Sequence, residues 1–174
     1  MNELPFPSHG IIKYDNPEEI QRLATEYAIK RIQKNSKLHD DAPEYDRGAL
    51  ATSVDELGIT AELIGIGYLK NNGIEFDGID VFENRPVVEA DVFIGETKID
   101  IKGVRVDNQN LTVNRRAHFK KDVTHYWFIK PYRDAEGNLN GEAEYWVISA
   151  VYVSLWNVND TSFTAFFYKE ISSV

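Results

Sequence analysis

The residues in this chain with the most chemistry to offer are Asp91, Asp100 and Lys102, set within VVEADVFIGETKIDIKGVR, from Val87 to Arg105. Alternation along an extended chain sends every second side chain to the same face. Lys98, Asp100 and Lys102 therefore share a face, while Ile99 and Ile101 take the other. If the preceding residues pair back through a turn at Gly95-Glu96, Asp91 falls close to Asp100, with Lys102 one pleat further on. Carboxylates at that range repel, and each favours its protonated form unless a cation holds the pair. A divalent metal resolves the conflict, and ligands that are all oxygen select Mg²⁺ or Mn²⁺ over zinc.

The elements that must position these groups can be read outward from them. Val87, Glu89, Asp91 and Phe93 alternate with Val88, Ala90, Val92 and Ile94, which predicts a strand, a tight turn and a return strand. Glu89 shares the face of Asp91, as an auxiliary ligand or as an exposed residue at the sheet edge. Upstream, Ile74 to Phe82 reads as another strand with a bulge or kink at Asp77-Gly78. Before it a helix is expected from near Ser53, where Ser53 and Glu56 can form a capping box, to a stop at Asn72-Gly73. Ile59, Leu63, Ile66 and Leu69 line one stripe of that helix, and Glu62 falls on the same stripe. Gly58, Gly65 and Gly67 make it weak in isolation, so packing must hold it. A helix followed by three strands points to an antiparallel meander with the helix laid on it.

The remaining chain supplies scaffold. Asn16 to Asn35 is the clearest helix, with Asn16 as cap, Pro17 in its first turn, and Glu18 and Glu19 complementing the dipole. Ser36 to Arg47 reads as a solvated loop, and His39, Asp40 and Asp41 fit that loop better than a metal site. A short helix over Asn114 to Asp122 is followed by a central strand, Thr124 to Pro131. Strands over Ala143 to Ser149 and Ser162 to Ile171 close the chain, with a turn or short helix through Trp156 between them. Trp127, Phe128, Trp146 and Trp156 read as core aromatics. His118 and His125 share no helical face, which argues against an acid–base pair.

Composition sets the outer bounds. At 174 residues, with 43% hydrophobic and 12% aromatic side chains, a single domain spanning 1–174 with a sizeable core is expected rather than disorder. With no Cys there is no disulfide, thiolate zinc site or Cys nucleophile. No apolar run is long enough to cross a membrane, and the first residues lack the pattern of a signal peptide, so a cytoplasmic protein is expected. A net charge of −9 weighs against nucleic-acid binding over the whole surface. Lys and Arg nonetheless concentrate between Lys98 and Arg133, so an anionic ligand has one basic region to meet.

Glu62, Asp91 and the triplet Asp100-Ile101-Lys102, together with GITAELIGIGYLKNNGIEFDGIDVF, resemble the PD-(D/E)xK nuclease superfamily, the restriction-endonuclease-like fold, with a core like that of Holliday-junction resolvases. The likeness spans about Gly58 to Pro131, within a nuclease-like core near residues 53–131, and departs from the motif at Ala90, where Pro would precede Asp91. It implies an α/β (α+β) fold with a mixed central β-sheet flanked by helices. It also implies a metal-dependent deoxyribonuclease, an endonuclease hydrolysing DNA phosphodiester bonds with Mg²⁺ (or Mn²⁺). By that resemblance Asp91, Asp100 and the Ile101 carbonyl bind the metal, Lys102 orients or activates water, and Glu62 holds a second ion or a metal-bound water. Arg105, Arg115, Arg116, Lys120 and Lys121 would contact DNA phosphates; the plainer alternative is a charged helix face balancing an acidic protein. DNA is the implied partner, and a homodimer is compatible with the family. Two alternatives stay open: a nuclease-fold DNA-binding or assembly module without activity, and a non-nuclease α+β protein whose carboxylates are surface charges.

Overall fold

Asn16 begins the ordered helical layer. Its backbone takes the left-handed region, φ 54°, and its carbonyl accepts from the amides of Glu19 and Ile20. Pro17, which has no amide hydrogen to satisfy, then opens α1 (Pro17–Leu38). The helix packs on α2 (Gly48–Asn71) through Ala24, Ala28 and Ile59, all fully buried; small side chains there let the two axes lie close. The computed structural model describes residues 4–38, 48–78, 90–160 and 165–174. Glu89, His39, Asp40, Asp41 and residues 79–82 of the strand expected at Ile74 to Phe82 lie outside the described residues; of its described part only Asp77–Gly78 is strand.

The strands, in chain order, are β1 (His9–Lys13), β2 (Asp77–Gly78), β3 (Val92–Ile94), β4 (Thr97–Gly103), β5 (Asn110–Asn114), β6 (His125–Arg133), β7 (Leu139–Ser149), β8 (Asn157–Asp160) and β9 (Ala165–Glu170). Two further short helices, α3 (Arg115–Lys120) and α4 (Ala150–Val153), stand between β5 and β6 and after β7. Six strands form one sheet in the order β1-β7-β6-β4-β3-β2, and β5-β9-β8 form a second, smaller one. In the large sheet β2, β3 and β4 are an antiparallel meander, and β6 runs parallel to β4. The fold is therefore mixed α+β with a multistrand mixed sheet. The meander and the central β6 agree with the alternation and apolar runs in the sequence, whereas β1, β8 and the separate small sheet are additional to them.

Each face of the large sheet has its own core. Ile99, Ile101, Trp127, Ile129, Tyr145 and Val147 pack with Ala61 and Ile64 of α2. The opposite face sets Tyr126, Phe128 and Trp146 against Leu111, Val113 and Phe167 of the small sheet and Val153 of α4. Close approach fixes α2 on the first face. A Cβ on Gly103 would lie 2.7 Å from Leu57 Cγ and 2.8 Å from the Leu57 carbonyl, and one on Gly65 would lie 3.1 Å from Ile129 Cδ1. Glycine at both points removes the atom that would hold helix and sheet apart. Trp127, Phe128 and Trp146 are buried, as expected of core aromatics, and Trp156 packs beside them. Among the described residues no helix is long and apolar enough to cross a membrane.

Candidate active site

The β3–β4 hairpin turns at Gly95, whose φ of 58° suits a tight reversal. Its register pairs Val92 with Ile99, so Asp91, one residue before β3, comes level with Asp100. Asp91 is held there at two points. Its amide donates to the Ile99 carbonyl at 2.8 Å, and its carboxylate Oδ2 accepts from the Ile101 amide at 2.7 Å. The carboxylate thus sits beside the strand segment that carries Asp100.

On β4, Ile99, Ile101 and Gly103 face α2, so alternation turns Asp100 and Lys102 toward the other face, alongside Tyr126 and Phe128 of β6. The Asp100 side chain is only 5% exposed. Lys102 Nζ lies 2.9 Å from its Oδ2, and Lys121 Nζ lies 2.7 Å from its Oδ1. The Lys121 contact is a well-aligned hydrogen bond, whereas Oδ2 is buried without any aligned donor, so Lys102 meets it as an ion pair only. Asp91, Asp100, Lys102 and Lys121 together make a group whose formal charges cancel.

Electrostatics follow that arrangement. Burial pushes the Asp100 carboxyl upward, but the charges of Lys102 and Lys121 outweigh it and hold its pKa below the usual aspartate value. Burial works against the Lys102 ammonium as well; Asp100, and with it Asp91, keeps the Lys102 pKa above that of an ordinary lysine. Lys121 goes the other way. Burial and the like charge of Lys102 lower its pKa against the pull of Asp100. Burial, with the Asp100 charge added, drives the Tyr126 hydroxyl well above its usual pKa. Tyr126 is tied in turn to the buried His118, whose ring nitrogens lie 2.7 Å from the Tyr126 hydroxyl and 2.8 Å from Ser154 Oγ.

Three expected site residues meet here: Asp91, Asp100 and Lys102. Glu62 does not join them. It lies in the helical layer on the other face of β4, where its Oε2 accepts from Arg31 of α1 at 3.2 Å. Among the described residues no group of three or more His, Cys, Asp or Glu side chains converges as a metal site. Of the basic residues expected to meet phosphate, Arg105, Arg115, Arg116 and Lys120 are exposed, while Lys121 is turned inward onto Asp100. No local pattern marks Lys121 as the exception: it is the extended residue just past α3, and only the fold brings it onto Asp100. His118 and His125 do not pair; His125 Nδ1 lies against Thr124 instead.

Mg²⁺ is commonly held by one or two carboxylates, its other positions left to water and substrate phosphate. Asp91 and Asp100 fit that donor set, and the buried Asp100 Oδ2, without an aligned donor, keeps a lone pair in reserve. Comparison of the chain with family models, curated proteins and solved structures finds no match.

Proposed function

We propose that this protein is a metal-dependent nuclease, an endonuclease of the PD-(D/E)xK type that hydrolyses DNA phosphodiester bonds with Mg²⁺ or Mn²⁺. The observation that carries the reading is the meeting of Asp91, Asp100 and Lys102 across the β3–β4 hairpin. Hydrolysis of a phosphodiester needs a nucleophilic water at neutral pH and compensation for a multiply anionic, trigonal-bipyramidal transition state. Asp91 and Asp100 would hold the ion, with the Ile101 carbonyl as a third oxygen. When bound, the ion supplies Lewis acidity toward phosphoryl oxygen and lowers the pKa of water.

The chain's own residues do the rest. Lys102, 30% exposed, can reach from Asp100 toward a bound phosphate, orient the attacking water and offset the charge that builds on phosphorus. Ile101 donates its amide to Asp91 and so fixes one carboxylate, while the core beneath β4 fixes the other. Arg115, Arg116 and Lys120, exposed on α3, would take flanking phosphates. Cleavage of plasmid and oligonucleotide DNA in Mg²⁺ or Mn²⁺ tests this reading. Wild type should cut, and Asp100→Ala should lose activity by at least about 10²-fold, the scale of one transition-state contact, while circular dichroism shows it folded. Equal cutting by both proteins would remove the assignment.

A second reading draws on a specific observation: ammonium groups already lie against both oxygens of Asp100. A site neutralised from within suits a nuclease-fold DNA-binding or assembly module that does not cleave. Tight DNA binding without cleavage in either metal would favour it.

A further inference from the structure

We propose that Lys121 is the resting counter-ion of Asp100 and competes with the divalent cation for that carboxylate, so that metal is held tightly only when phosphate arrives to draw the Lys121 ammonium away. The inference rests on the nuclease reading and assigns to that site a residue that the family motif does not contain. Its first support is position. Lys121 follows α3, its side chain is only 9% exposed, and its Nζ bonds Asp100 Oδ1 at 2.7 Å. A lysine on a basic helix would ordinarily keep its ammonium in water; this one exchanges water for a single buried carboxylate.

The second support is charge. Asp91 and Asp100 are already balanced by Lys102 and Lys121. A divalent ion added to that group leaves a net charge of about +2 in a largely buried site, which a low local dielectric penalises. A phosphodiester lowers the excess, and the dianionic transition state cancels it. The third support is mechanical. The Lys121 amide donates to the Ala117 carbonyl at 3.0 Å, the Asp122 carboxylate pairs with Lys98 Nζ, and the Thr124 amide donates to the Lys98 carbonyl at 2.8 Å. The Lys121 backbone is therefore held to the last turn of α3 and the chain just after it is tied to β4, so its ammonium moves by rotation of a flexible four-carbon stem, with no shift of α3. Lys121 is in this account a positioning and gating residue, since it bonds a metal-holding carboxylate in the resting protein.

Calorimetric titration of Mn²⁺ into DNA-free protein, comparing wild type, Lys121→Met and Asp100→Asn, separates the possible outcomes. Loss of the competing charge should tighten Mn²⁺ binding to Lys121→Met on the order of tenfold, while Asp100→Asn abolishes it. Unchanged or weaker binding by Lys121→Met, with Asp100→Asn still abolishing it, overturns the inference and leaves the nuclease site standing. Binding that is absent from both wild type and Lys121→Met, or indifferent to Asp100→Asn, overturns the nuclease reading and the inference with it. If Lys121→Met does not fold, nitrogen-detected NMR of the lysine ammonium groups in wild type gives the answer. The Lys121 signal should move on Mg²⁺ addition and again on adding a short DNA duplex; a signal fixed through both additions overturns the inference.

Discussion

Alternate residues of one strand serve two different regions of this molecule. Ile99, Ile101 and Gly103 turn into the layer beneath α1 and α2, where the neighbours are apolar and helix and sheet nearly touch. Asp100 and Lys102 turn the other way, toward Tyr126, Lys121 and α3, where each charged group has a charged or polar partner. The first face lowers its free energy by excluding water, and the second holds charge that only a partner makes tolerable. The difference teaches that β4 is a rigid rail: the apolar face fixes its height, so the carboxylate on the opposite face is presented without slack.

Substitutions on the two faces should consequently fail in different ways. The largest stability loss is expected for Trp127→Ala, which empties a fully buried site between α2 and the sheet. About 3–5 kcal/mol should disappear in urea unfolding, while any protein still folded keeps its metal affinity. Gly103→Ala should cost less, about 1–3 kcal/mol, because its new Cβ meets the Leu57 backbone, which cannot rotate away. It should also weaken metal binding, since lifting α2 tilts the strand that carries Asp100. A Gly103→Ala protein as stable as wild type would show that α2 does not set the position of β4.

Glu62→Gln sharpens the division between faces. The Arg31 pair is partly buried, with side chains 21% and 12% exposed, so its loss should cost about 1 kcal/mol. Metal affinity should not move; a collapse of Mn²⁺ binding would return Glu62 to the metal site and break the comparison. The smallest effect expected is on pH dependence. Burial lowers the His118 pKa below its ordinary 6.5, so the unfolded chain takes up the proton first as pH falls. Stability should therefore be level above about pH 6.5 and decline as pH drops further, a slope that His118→Gln should flatten in thermal melts. An identical slope in the variant would place the sensitivity elsewhere.

How much of this was legible beforehand depended on how local the determining physics is. The short helix expected over Asn114 to Asp122 is found as α3 over Arg115–Lys120, and the β3–β4 hairpin and β6 were readable because alternation and apolar runs act over a few residues. β1 was not: HGIIK alternates weakly, and it becomes a strand only because β7 offers it an edge. Nor was the small sheet, whose β5 and β9 pair residues far apart in sequence, such as Asn110 with Glu170. α2 begins at Gly48, earlier than the capping box at Ser53 and Glu56 implied. Asp91, Asp100 and Lys102 could be grouped from parity alone. Glu62 could not be assigned that way, because a helical stripe says which side is inward but not which layer lies there, and here it is α1. Lys121 was read with its basic neighbours as surface; a carboxylate buried on a central strand needs more than one cation, and the second came from the end of the short helix.

The most direct test is a crystal of the protein bound to a short DNA duplex, soaked in Mn²⁺ and examined by anomalous diffraction. The account predicts one strong peak bonded to carboxylate oxygens of both Asp91 and Asp100, with Lys121 Nζ withdrawn from Asp100 Oδ1. A peak at Glu62 on the opposite face of β4, or no peak beside Asp100 while Lys121 keeps its bond, would contradict it.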